Sequence, residues 1–178
     1  EKLQFKQKAK EVWGPVSDWS GEKMNQMGSL LGTAVREDIP QISAAAFRGS
    51  VKALANFGEW SGEELKDIKD KAVESWGPMK DWTVDNVRDL GGMTKGVLEN
   101  DLPRLSAEVF KASLSQLKDT KDWSAENLRS AGTKAKETYG FVEGWSKDTV
   151  KDLGGLVAGL KSIEIPKLTV EASVSLEP

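Results

Sequence analysis

Any chemistry performed by this chain has to rest on carboxylates, amines and hydroxyls, because its 178 residues include no histidine and no cysteine. That composition removes the commonest general base, the usual zinc ligands, thiol nucleophiles and disulfides together. The groups that remain do not fall into catalytic spacings. Gly91-Gly92 and Gly154-Gly155 lack the lysine–hydroxyl context of a phosphate loop and follow a helix start rather than a strand. Asn100-Asp101 and the stretch from Asp81 to Asp85 lack the alternating oxygen ligands of a calcium loop. No serine sits in a nucleophile elbow. The residues therefore read as a non-enzymatic chain with no cofactor and no metal.

Charge narrows the partners. Lys and Arg total 25 against 28 acids, a net charge of −3, so there is no basic field for nucleic acid. The charges are interspersed, as in Glu63-Glu64-Leu65-Lys66-Asp67-Ile68-Lys69-Asp70-Lys71, which suits solvated helix faces. With 38% hydrophobic and 30% charged residues the chain can bury a core. The partners this leaves are other proteins, or further copies of the same repeat.

The residues that stand out are tryptophans, which can stack on sugars or anchor in lipid. Their spacing favours architecture. Trp19, Trp82 and Trp145 are each 63 residues apart, and so are Trp60 and Trp123. Trp13-Gly14-Pro15 through Trp19 returns as Trp76-Gly77-Pro78 through Trp82, then as Tyr139-Gly140 through Trp145, with nothing inserted. Such self-similarity marks a repeat protein. Residues 1–12 end a preceding repeat, 13–75 and 76–138 are two whole ones, and 139–178 are a partial third in one continuous domain. The register thus predicts a window on a longer array, with any leader or membrane anchor outside it.

A finer unit lies within the 63. An apolar residue followed by Ser or Thr recurs at Trp19-Ser20, Ile42-Ser43, Trp60-Ser61, Trp82-Thr83, Leu105-Ser106, Trp123-Ser124, Trp145-Ser146 and Leu168-Thr169. In all but the Ser43 copy an acid stands two places after the hydroxyl. The hydroxyl accepts from an orphan amide and the acid faces the positive end of the helix dipole, so each is a predicted helix start. Four residues on stands Met24, Phe47, Leu65, Val87, Phe110, Leu128 or Val150, the position that staples the helix to the apolar residue before its cap. Only the last copy, with Ser173, lacks it. Pro40, Pro103 and Pro166 close the preceding helix, since proline has no amide and restricts its neighbour. The starts recur at 23, 18 and 22 residues, predicting three short helices per repeat.

Glycines add a packing expectation. Gly28 and Gly32, Gly92 and Gly96, and Gly155 and Gly159 are spaced by four within the first helix of each repeat. Charged neighbours such as Glu22, Arg88 and Asp152 exclude a membrane span, so the expected role is close approach of a neighbouring helix. Short helices are marginal alone and stack for stability, which predicts an all-α fold, an armadillo-like α-solenoid. From Leu168 apolar and polar residues alternate, and an extended tail is expected there ahead of a helix.

The segments Trp82-Thr83-Val84-Asp85-Asn86-Val87-Arg88-Asp89-Leu90-Gly91-Gly92 and Trp145-Ser146-Lys147-Asp148-Thr149-Val150-Lys151-Asp152-Leu153-Gly154-Gly155 resemble repeats of the mesothelin, stereocilin and otoancorin family. The resemblance implies a superhelix of short helices in a secreted or cell-surface protein, used for cell–cell or cell–matrix attachment, with no catalytic residues. The function expected is a structural or adhesive module that presents an extended surface or joins end to end. A lipid-surface protein of amphipathic helices is the alternative, although its helices usually carry a basic face.

Overall fold

A computed structural model describes residues 2–58, 60–118, 121–161 and 164–168, with side chains from residue 4 onward. Every regular element among the described residues is helical. In chain order they are α1 (Lys2–Trp13), α2 (Gly21–Gln26), α3 (Leu31–Val35), α4 (Ala44–Ala55), α5 (Gly62–Trp76), α6 (Val84–Leu90), α7 (Thr94–Leu98), α8 (Ala107–Leu117), α9 (Ala125–Tyr139) and α10 (Lys147–Leu153). Short 3₁₀ turns join them. The chain forms two compact units, Glu1–Val97 and Leu98–Pro178.

In the first unit α4 is the central element. Its Phe47, Val51 and Leu54 are buried, and it packs against α2, α3, α5 and α6. The α2 and α4 backbones meet at Gly21 and Gly49, where a Cβ on Gly21 would stand 2.8 Å from the Gly49 Cα. Only paired glycines allow that approach. In the second unit α9 packs against α8, the turn Leu102–Arg104 and the 3₁₀ segment Gly154–Gly159. There Gly132 meets Gly159, and a Cβ on Gly159 would run into the Leu128 carbonyl.

The helix starts have a common geometry. Ser20, Ser43, Ser61, Thr83, Ser106, Ser124 and Ser146 each accept a hydrogen bond from the amide three residues on, at 3.1–3.3 Å. At Ser61 and Thr83 the box is reciprocal, with Glu64 and Asn86 reaching back to the cap amide. Thr169 and the predicted tail lie outside the described residues.

The first helix of each repeat departs from expectation. The spacing predicts one helix after Ser20, but α2 ends at Gln26 and α3 begins at Leu31 across a 3₁₀ turn at Gly28–Leu30. The same break follows α6 at Gly91 and α10 at Gly154. Gly28, Gly91 and Gly154 have φ of 53°, 48° and 51°, a conformation that ends a run of α-helix and that L side chains avoid.

Candidate interaction surface

Each helix before a Trp lid ends on a left-handed glycine, Gly14, Gly77 or Gly140, with φ near 80°. That turn aims the glycine carbonyl at the indole five residues on. Trp19 Nε1 donates to Gly14 O at 3.0 Å, Trp82 to Gly77 O at 2.9 Å and Trp145 to Gly140 O at 3.1 Å. The aromatic residue before the glycine packs edge-on to the same indole, Trp13 on Trp19 at 5.6 Å, Trp76 on Trp82 at 5.2 Å and Tyr139 on Trp145 at 6.4 Å. Trp19, Trp82 and Trp145 are buried, so they offer no face to a sugar or a lipid.

The other two tryptophans differ from each other. Trp60 is half-buried, donates to Leu54 O at 3.2 Å and packs edge-on to Phe57 at 4.9 Å. Trp123, in the same register, is buried and its indole nitrogen has no partner among the described residues.

Pro40, Pro103 and Pro166 are exposed, each the middle residue of a 3₁₀ turn. The residue before proline is fully buried at Ile39 and Leu102, whereas Ile165 is 45% exposed. The glycine expectation is corrected at one position: nothing lies within 4 Å of a Cβ built on Gly92, so no neighbouring helix approaches it. Gly28 likewise faces open space and serves the chain turn, while Gly155 is exposed and donates its amide to Lys118 O at 3.2 Å. Close approach falls instead on the second glycine of each pair. Gly32 lies under the Phe57 ring, Gly96 under Leu65 and Gly159 against α9.

Ion pairs tie the turns to the helices. Asp38 is flanked by Lys10 at 2.9 Å and Lys6 at 3.0 Å, and Lys136 meets Glu164 at 2.7 Å in the corresponding place. Burial pushes the Asp38 carboxyl up, but the Lys10 and Lys6 ammonium groups outweigh it and hold it below the usual carboxylate range. Arg36 grips Glu64 with two bonds, at 2.7 and 3.1 Å, and lies over the Phe57 ring. The Arg36 bonds lower the Glu64 carboxyl.

The described surface has one aromatic side chain displayed almost whole. Phe141 is 89% exposed where the other copies carry Pro15 and Pro78. It borders a hollow of about 440 Å³ lined by Lys136, Val142, Glu143, Glu164 and Lys167, whose rim is held by the Lys167–Glu143 pair at 3.0 Å. Together with Ile165 it makes an apolar spot within paired charges. The replacement of proline by phenylalanine is visible in the sequence, but its exposure is not. Among the described residues no three carboxylates gather to hold a metal, and no helix is long and apolar enough to cross a membrane.

Local geometry of this kind, recurring every 63 residues, defines an all-helical protein of repeated parts. Comparison with known proteins finds similarity to otoancorin of mouse (Mus musculus) and of human (Homo sapiens), each 20% identical over 177 residues. The match takes in 99% of this chain but spans only 15% of either relative. No protein-family model and no solved structure matches.

Proposed function

We propose that the chain is a non-enzymatic structural module, a stretch of an α-solenoid whose 63-residue repeats stack and present an extended surface for attachment to other proteins. The observation that carries this reading is the threefold lid, in which Trp19, Trp82 and Trp145 bond to Gly14, Gly77 and Gly140 with one geometry. One joint made three times in one register is what a chain built by stacking requires. The distant likeness to otoancorin and the resemblance to its family support attachment at a cell surface or in the extracellular space as the setting. Buried indoles and turns closed by Pro and Gly give the lipid-surface alternative no observation of its own.

The test is length. Chains extended by whole 63-residue repeats should melt at successively higher temperatures, and scattering should show particles that lengthen with each addition. A melting temperature that does not change with repeat number, in a particle that stays round, would sink the reading.

A further inference from the structure

Two helices in this chain show how a repeat is covered by the one before it. The face of α5 that holds Ile68, Lys71 and Ala72 is buried, as is the face of α9 that holds Ala131, Lys134 and Ala135. α5 packs on α4 and on the turn Ile39–Gln41, and α9 on α8 and on the turn Leu102–Arg104. The Lys134 ammonium reaches the Pro103 carbonyl at 3.5 Å, across 31 residues of chain. Each lysine is steadied by an acid one turn on, Lys71 by Glu74 at 2.6 Å and Lys134 by Glu137 at 3.1 Å.

In the same register α1 presents Phe5, Lys8 and Ala9. It repeats the pair, Lys8 with Glu11 at 3.1 Å, but the Lys8 side chain is 74% exposed where those of Lys71 and Lys134 are 7% and 9%. Phe5 and Ala9 are half-buried, and Val12, next along that face, is 65% exposed. The turns show the converse. Ile39 and Leu102 are covered, and Ile165 is open. α1 is a helix of this kind without its turn, and Ile165–Lys167 is a turn without its helix.

We infer that the chain associates head to tail, with α1 of one copy seating on the Ile165-Pro166-Lys167 turn of a second copy as α9 seats on Leu102-Pro103-Arg104. This deepens the stacking reading and rests on it. Ile165 meets Phe5 and Ala9, and the Lys8 ammonium meets the Pro166 carbonyl. The occupant is a second copy because this chain carries both halves, in the register that already joins such halves twice within it. The two surfaces differ, so the contact is heterologous and association continues past a pair. One helix on one turn is a small contact, so the association is weak and concentration-dependent.

Sedimentation of the 178-residue chain tests this directly. The weight-average mass should climb with concentration, while Ile165→Glu and Ala9→Glu each stay monomeric with unchanged helical circular dichroism. Each variant keeps one sound half, so their equimolar mixture should give a species of twice the monomer mass and nothing larger. Amine cross-linking of mixed ¹⁴N and ¹⁵N copies should join Lys8 to Lys167 between isotopes. A wild-type chain monomeric at its solubility limit, or self-association untouched by either substitution, would overturn the joint. The two readings fail separately: a monomer whose melting still rises with added repeats sinks the joint between copies, and melting blind to repeat number sinks the stacking.

Discussion

At the scale of single residues, the two glycine classes have opposite signs. Gly92 has unstrained φ and open space around it, so Gly92→Ala should raise stability by about 0.5 kcal/mol through the unfolded chain alone. A Cβ on Gly159 meets the Leu128 carbonyl, a backbone atom that cannot step aside, and Gly159→Ala should cost about 1–3 kcal/mol. Denaturant titration of the two variants reads both signs; equal losses would show that the close approach is not where the structure puts it. The tryptophans make a second such pair. Trp145→Phe gives up a hydrogen bond worth ~1 kcal/mol, whereas Trp123→Phe removes a buried donor that has no described partner. Trp123→Phe should therefore be the milder change in a melting comparison, and a larger loss there than at Trp145 would contradict the assignment. The caps were legible in the sequence because a hydroxyl and an amide three residues apart need no tertiary information. The indole's acceptor was not, because it depends on the left-handed turn at Gly14, Gly77 or Gly140.

At the scale of elements, what the pattern of apolar residues could not reveal is where a helix breaks without proline. The interval from Ser20 to Pro40 reads as one helix, and Gly28 was legible as a tight-packing residue rather than as a left-handed turn. Both roles use glycine, and the sequence carries the same letter for each. Ion pairs that cross elements were equally hidden, since Lys10 and Asp38 become neighbours only after α1 packs on α3. Asp38 gives this element a pH signature. Its folded carboxyl lies below the unfolded value, so its contribution is complete above the unfolded carboxylate range and is lost as pH falls through the folded value. Glu64 and Glu164, lowered by Arg36 and Lys136, add in the same direction. Stability should fall below about pH 4, and Asp38→Asn should both flatten that fall and cost ~1–3 kcal/mol at neutral pH. Unfolding curves across the acid range check it; a wild-type slope retained in Asp38→Asn would remove Asp38 from the account.

At the scale of the whole molecule the repeat was legible first, because an uninterrupted offset of 63 needs only counting. What counting did not reach is the boundary of the compact units, which falls at Val97–Leu98 rather than between residues 75 and 76. Sequence phase and packing are different properties: a repeat can be cut anywhere without changing its period, while contacts gather around α4 and around α9. The period itself makes a prediction that local structure alone does not. Deleting residues 76–138 joins Ser75 to Tyr139, so α5 runs into Tyr139-Gly140 and the Trp145 lid stands where the Trp82 lid stood, in phase. Under the stacking reading such a chain should keep its helicity per residue and unfold cooperatively, at a lower temperature because one repeat interface is gone. Deleting residues 76–135 removes three fewer and inserts Lys136-Glu137-Thr138 ahead of Tyr139. The extra residues turn the lid glycine and its indole most of a helical turn away from the face they serve. That chain should lose cooperativity, and circular dichroism melts of the pair decide the matter: if both deletions behave alike, the period is a record of duplication and not a constraint on folding.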